Sequence, residues 1–290
     1  MPFYLVVNAR RFVPPGFVPL ALVALVGMAQ PARLVSQDEH KGKIDDVQHS
    51  ADNAKKHGDH DGDGGSADDN DGSFGVFGGV RGFWHMLFAV PRDTGQGYLA
   101  YPYARADGSS SFVLRDVYRD RWFGAVSVSY FQDIESTLRA GQVSVEWTGG
   151  MFDRTIEFSR YAEPLADHTD HLSMLHAGVA VLPPIGDLGY LKVGLAFQGV
   201  FTDQGDAAGG PELVLGAQLF PKRPFGVAAT ARLAPLTWVG GPAFGTGFVD
   251  LMGGGSVFLG RVELQAGYRW TRVGVGAPFS GPTLGLRAWF

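Results

Sequence analysis

The sequence contains no cysteine in 290 residues. This absence excludes a disulfide scaffold, a thiolate zinc site, an iron–sulfur cluster and a cysteine nucleophile. Charged residues are scarce, at 18%, and the net charge is −5, which argues against nucleic acid as the main partner because phosphate binding needs a basic surface. A mean hydropathy of +0.02 excludes a bundle of membrane helices. The sequence also has no phosphate-binding loop, dinucleotide fingerprint or serine-elbow motif.

Glycine is abundant, with 42 residues, and aromatic residues make up 12%. This composition favours a β-rich protein with many close backbone contacts. The charge is unevenly placed: residues 38–73 hold eleven acidic residues and four lysines, a balance of −7, so the rest of the chain carries −5 − (−7) = +2. The chain therefore joins two parts of different composition, which must be interpreted separately.

The first 29 residues have the pattern of a secretory signal peptide. Arg10 and Arg11 precede a short apolar run, and small residues at Gly27 and Ala29 suit cleavage after Ala29. The run is shorter than the ~20 apolar residues that a membrane helix needs. An uncleaved anchor helix is the alternative. The sequence thus predicts an exported protein.

Residues 30–73 are predicted to form a disordered acidic linker, because they lack an apolar pattern that could offset the entropy of ordering. Within it, Asp59, Asp61 and Asp63 resemble the first half of a calcium loop. The second half fails, since Asn70 stands where a bidentate glutamate is needed. We therefore expect at most weak Ca²⁺ binding by this linker, and otherwise no cofactor.

The remainder, residues 121–290, shows repeated alternation of apolar and polar residues. In residues 261–270, for example, every second side chain is apolar and the others are Arg, Glu, Gln, Gly and Arg. The polar set is mostly small, which suits a narrow lumen, while the apolar set suits lipid. We predict an all-β, antiparallel, up-and-down transmembrane β-barrel of about ten strands, within a range of eight to twelve. The predicted strands are 121–132, 135–148, 151–161, 171–182, 188–202, 211–220, 225–236, 247–258, 261–272 and 281–290.

The predicted connections alternate in length. Counted back from the C-terminus, every second connection is short and the others are longer, apart from a tight first hairpin near Asp133 and Ile134. Short periplasmic turns and longer external loops are the asymmetry of outer-membrane barrels. An even strand count then places the linker on the periplasmic side.

The C-terminus adds a more specific pattern, formed by Thr283, Gly285, Ala288 and Phe290. It resembles the C-terminal assembly signal of small Gram-negative outer-membrane β-barrel proteins: polar, any, Gly, two of any kind, apolar, any, terminal aromatic. The resemblance names no subfamily. It implies recognition by the barrel-assembly machinery and contact with outer-membrane lipid.

Residues 74–120 are rich in glycine and aromatics and are harder to interpret. We expect them at the periplasmic rim or as extra strands, which would make a twelve-stranded barrel; an amphipathic helix that plugs the lumen or lies on the inner leaflet is the alternative.

Charged residues of both signs occupy predicted inward positions. Because buried charges are normally paired, we expect a mostly closed, salt-bridged lumen, although a charged constriction for small solutes would use the same residues. The ten are Glu146, Glu157, Lys192, Glu212, Arg232, Asp250, Arg261, Glu263, Arg269 and Arg287.

The preferred function is a structural, adhesive or interaction role without catalysis, with a narrow passive pore as first alternative. For a lipid-modifying enzyme, the second alternative, only Asp170, His171 and Ser173 are candidates. Asp167, His168, Asp170 and His171, with His176 further on, could also bind zinc. A secreted soluble β-sandwich is a further class, and the sequence leaves the oligomeric state open.

Overall fold

The computed structural model describes residues 42–48, 102–103, 122–149, 152–185, 188–239 and 246–290. Eleven strands lie in these ranges: β1 (Trp122–Gln132), β2 (Arg139–Gly149), β3 (Phe152–Pro164), β4 (Thr169–Val181), β5 (Pro184–Ile185), β6 (Gly189–Thr202), β7 (Ala207–Lys222), β8 (Phe225–Trp238), β9 (Thr246–Leu259), β10 (Val262–Val273) and β11 (Phe279–Trp289). A short helix, α1, spans residues 43–48. No helix in the described part of the chain is long and apolar enough to cross a membrane.

Ten strands close into an antiparallel barrel, as the alternation predicts. Sequential neighbours pair, β6 follows β4 in the ring, and β1 pairs with β11 to complete it. The two-residue β5 pairs only with the start of β6. The strands that close the ring all lie from residue 122 onward. The predicted placement of residues 74–120 lies outside the described residues, except for Pro102 and Tyr103.

Several strand ends differ from the predicted bounds. The second strand begins at Arg139 rather than at 135, so residues 133–138 form a loop and the first hairpin is no longer an exception. The strands β3 and β7 run further than predicted, to Pro164 and from Ala207, so several predicted long loops are shorter. We call the end with connections 133–138, 165–168, 203–206, 239–245 and 274–278 the loop end, and the opposite one the turn end.

The two faces of the barrel wall differ in polarity. Outward side chains are apolar and exposed, whereas the inward positions hold the buried charged residues. This is the reverse of a soluble sheet, in which the apolar face is the core, and it matches a barrel surrounded by lipid. Outward residues include Val145, Phe158, Leu191, Val193, Leu195, Phe197, Leu213, Leu215, Val227, Leu233, Leu251, Leu264, Leu284 and Leu286.

The seam between the first and last strands is closed by the C-terminal residue. The Gly124 amide donates to the Phe290 carbonyl (2.8 Å), and the Phe290 amide donates to the Gly124 carbonyl (2.9 Å). The Phe290 ring lies where a Cβ on residue 124 would be, so a larger residue there would force the ring to move. The terminal aromatic thus contributes directly to closure of the ring at the turn end.

Candidate functional site: the lumen and its two mouths

One group of charged side chains crosses the half of the lumen nearer the loop end; we call it the loop-side layer. Arg232 on β8 donates two hydrogen bonds to Glu157 on β3, at 2.8 and 2.7 Å. Arg269 on β10 binds both oxygens of Asp250 (2.7 and 3.1 Å) and also donates to Gln142 on β2 (2.7 Å). Paired guanidinium and carboxylate groups of this kind combine charge with directional hydrogen bonds. Strands from opposite walls are therefore joined through the interior.

A histidine completes the loop-side layer. His176 on β4 lies opposite Glu157 in the strand register, and its Nδ1 is 2.6 Å from Glu212 Oε2. The other Glu212 oxygen lies 4.0 Å from Arg232 Nε. His176 and Glu212 are both nearly fully buried. The histidine therefore belongs to the lumen network. The sequence had grouped it with the residues of an external loop.

A second group, the turn-side layer, crosses the other half of the lumen. Lys192 on β6 lies 3.1 Å from Glu146 and also contacts Asp153. Arg287 on β11 pairs with the same Glu146, and its guanidinium is 3.9 Å from Glu263. Glu146 thus links strands on both sides of β2 across the lumen.

Nine of the ten predicted lumen charges lie where the alternation places them. Arg261 does not: it is exposed in the tight turn between β9 and β10, because β10 begins one residue later at Val262. Asp153 is a lumen charge that was not predicted, although it lies on the same alternating face of β3 as Glu157 and follows from continuing that pattern.

Between the two layers lies a cavity of about 140 Å³. On β9, β10 and β11 the lining includes Gly254, Gly267 and Gly285 together with polar side chains such as Gln265 and Thr283. A Cβ on Gly254 would lie 2.7 Å from the Gly267 backbone, so these strands approach closely only because both are glycine. The cavity is large enough for several water molecules.

The loop-end mouth is filled by α1. Ile44 and Val47 are fully buried in a cluster with Phe131, Leu138 and Tyr161 of the barrel. The remaining members are Ala140, Leu172, Met174, Val200, Ala208, Ala234, Leu236, Trp238, Phe248, Val273 and Phe279. Residues 43–48 belong to the segment predicted as a periplasmic linker, yet they lie at the loop end, opposite the turns. The rest of 30–73 lies outside the described residues.

Lys43 anchors α1 to two loops. Its Nζ lies 3.0 Å from Asp133 Oδ2, from Glu135 Oε2 and from the Pro278 carbonyl oxygen. Burial alone would lower the pKa of Lys43, but the hydrogen bonds to Glu135 and Asp133 outweigh it and raise the pKa. Burial would raise the pKa of Asp133, but the Ser280 amide, together with Ser136 and Lys43, holds it below its usual value. Both partners are thus stabilised in the charged form.

Tyr103 fills the turn-end mouth. Its ring makes edge contacts with Phe220 and Phe258, at 5.8 and 5.1 Å between centroids, and its hydroxyl donates to the Phe225 carbonyl. Burial, with the nearby charge of Glu263, raises the pKa of Tyr103 to about 12. The phenol is therefore neutral at physiological pH.

The predicted enzyme residues do not converge. Asp170 faces the lumen, whereas His171 and Ser173 lie at the alternate, outward positions of β4. Asp167 and His168 lie in the loop before β4, where His168 contacts both Asp167 (2.6 Å) and Asp170 (3.0 Å). Within the described residues, no group of three or more His, Asp or Glu side chains is arranged to hold a metal ion. Asp59, Asp61 and Asp63 lie outside the described residues.

The assembly-signal residues divide between the two faces. Thr283 and Gly285 face the lumen, and Ala288 and Phe290 lie on the outer side of the alternation.

The chain was also compared with known proteins. The sequence matches no family model and no curated protein. Among solved structures, the chain is similar to an anion-selective porin from Comamonas acidovorans (13% identity, 57% of this chain and 59% of the porin, TM-score 0.31). It is also similar to neisserial surface protein A (12% identity, 58% of this chain and 96% of that protein, TM-score 0.30). The chain thus spans about 59% of the porin's length. These identities are too low to transfer a function.

Proposed function

We propose that this protein is a Gram-negative outer-membrane β-barrel with a closed lumen and a structural, adhesive or interaction role. Signal peptide 1–29 would export it, and the C-terminal pattern ending at Phe290 would deliver it to the barrel-assembly machinery. The exposed apolar outer wall supports a place in outer-membrane lipid. Its orientation would put the turn end in the periplasm and the loop end outside.

The observation that carries the closed-lumen proposal is the cross-linking of opposite walls by ion pairs. Arg232 and Glu157 are joined by two short hydrogen bonds across the barrel, and Lys192 and Arg287 meet at Glu146 in the second layer. Moving a hydrated ion through either layer would require these buried pairs to separate, and an unpaired buried charge is costly. A solute therefore faces two such barriers in series.

Planar-bilayer recording of the purified, refolded protein tests this proposal. We expect no stepwise conductance from the wild-type barrel, whereas an open porin reconstituted in the same way serves as positive control. Folding is checked by heat-modifiable migration on gels. Regular conductance steps from folded wild-type protein would contradict the closed lumen.

A narrow pore is a second candidate because of the cavity between the layers and the sign of the lumen charge. The two layers contain six carboxylates (Glu146, Asp153, Glu157, Glu212, Asp250 and Glu263) and four permanent cations (Lys192, Arg232, Arg269 and Arg287). An excess of carboxylates favours the passage of cations over anions. If steps are seen, the reversal potential in a salt gradient should show cation preference; anion preference would exclude this assignment.

A further inference from the structure

The loop-end mouth contains a part of the chain that does not belong to the barrel wall. Residues 42–48 precede β1 by more than seventy residues, and β1 begins at the other end of the barrel. Nevertheless, the Ile44 amide donates to Glu163 Oε2 (2.8 Å), and Ile44 and Val47 are completely removed from solvent. The mouth is therefore closed by a separate segment.

The attachment of α1 uses several sides of the mouth. Lys43 binds the β1–β2 and β10–β11 loops, as described above. At the other end of the helix, Gln48 Nε2 donates to Asp203 Oδ1 (2.9 Å), and Gln204 Nε2 donates to Gln48 Oε1 (2.9 Å). These last two partners lie in the β6–β7 connection. The helix thus bridges the mouth from one side to another.

The site that holds Lys43 is matched to an ammonium group. An ammonium has three N–H donors, and three acceptors lie at 3.0 Å: Asp133 Oδ2, Glu135 Oε2 and the Pro278 carbonyl. Asp133 is itself fixed, because its Oδ1 accepts from the Ser280 amide (2.7 Å) and its Oδ2 from the Ser136 hydroxyl (2.7 Å). The barrel loops would keep these acceptors in place without α1.

We propose that residues 42–48 are a releasable plug of the loop-end mouth, latched by Lys43 in this three-acceptor site. The barrel strands are joined by continuous ladders, whereas α1 is held by two apolar side chains, one ammonium and a few polar contacts. Segments with few buried contacts open at lower free energy than the ladders around them. Release of the plug gives water and small solutes access to the loop-side half of the lumen. The proposal deepens the closed-barrel function and rests on it.

The docked position can be tested by cross-linking, since the natural chain has no cysteine. A Cβ on Gly276 would lie 3.3 Å from the Asp46 Cβ, close to the ~3.8 Å typical of disulfides. We expect the Asp46→Cys/Gly276→Cys double variant to form an intramolecular disulfide in the folded barrel. Asp46→Cys/Arg223→Cys is the control, because Arg223 lies at the turn end and should not cross-link.

Release can be tested by labelling a lumen cysteine. Ser159, 2% exposed, lies beside Glu157 and Arg269 beneath the plug. In a Ser159→Cys background, we expect Lys43→Ala to raise the rate of labelling by a small membrane-impermeant maleimide about tenfold, since a charge-assisted hydrogen-bond set is lost. Ile44→Asp should raise it further, and Lys43→Arg, which keeps the charge but not the compact ammonium, should give an intermediate rate.

A surface cysteine controls for general effects. Val275→Cys, 78% exposed in the β10–β11 loop, should label at the same rate with and without Lys43→Ala. Migration of the folded form on gels shows whether each variant still forms a barrel. A failed Asp46–Gly276 cross-link in folded protein, or equal Ser159→Cys labelling in wild-type and Lys43 or Ile44 variants, overturns the plug. Because neither assay measures conductance, the plug and the closed-lumen function can fail separately.

Discussion

Removing the charge of Glu157 tests whether the lumen network stabilises the barrel. In Glu157→Gln, Arg232 loses its bidentate partner while it remains about nine-tenths buried. Breaking a buried ion pair by removing one partner costs about 3–5 kcal/mol. Asp250 and Glu212 lie 3.9 and 4.0 Å from Arg232 and retain part of the stabilisation. We therefore expect the low end, a loss of about 3 kcal/mol.

The measurement is the free energy of unfolding in urea, with the barrel folded in lipid vesicles. Arg261→Gln, at the exposed turn position, is the control and should change stability by less than about 0.5 kcal/mol. Adding Arg232→Met to Glu157→Gln should recover part of the loss, since Asp250 keeps Arg269 and Glu212 keeps His176. A Glu157→Gln loss below about 1 kcal/mol, the value of an exposed pair, would refute the buried network.

Two further predictions concern the ends of the barrel. Gly124→Val should reduce the folded form on gels, because a side chain at this position displaces the Phe290 ring from the seam. Gly205→Ala, with no atom near its Cβ, should still fold despite its positive φ. An unchanged folded fraction of Gly124→Val would contradict the role of the Phe290 ring in the seam. The contact between Lys43 and Asp133 should also depend on pH. The pKa of Asp133 is lowered and that of Lys43 is raised, so their ion pair stabilises the fold fully between the usual pKa values of 3.8 and 10.5. This stabilisation is lost in acid as Asp133 becomes protonated, and in alkali above the raised pKa of Lys43. The difference in urea stability between wild type and Lys43→Ala should be constant between these values and fall at lower pH; a difference that grows in acid would exclude this pair.

The barrel could be predicted because its signal is local. Alternation along single strands fixes which residues face inward, and it placed Glu146 and Arg232 on the lumen side without knowledge of the fold. Strand ends were less predictable, as Arg261 shows: it continues the alternation of β10, but the chain is already turning at Gly260. A pattern of period two does not record where pairing stops.

The partners within the lumen could not be predicted. Glu157 and Arg232 are 75 residues apart, and nothing in either strand selects the other. The same holds for α1: its neighbours in sequence are polar, so composition predicted a disordered linker. Ile44 and Val47 are ordered only because the barrel mouth supplies the apolar surface that the linker lacks.

Because the lumen contains two layers of ion pairs, the stability of the barrel and the closure of its lumen to ions can be tested separately. Among the described residues, the ion pairs of one layer include no charged group of the other, so each layer is a separate set of ion pairs at its own end of the cavity. Loosening the loop-side layer does not alter the contacts of Lys192, Glu146 and Arg287. Glu157→Gln should therefore weaken the barrel and still remain silent in a bilayer. Steady conductance from that single variant would show that the loop-side layer alone closes the wild-type lumen.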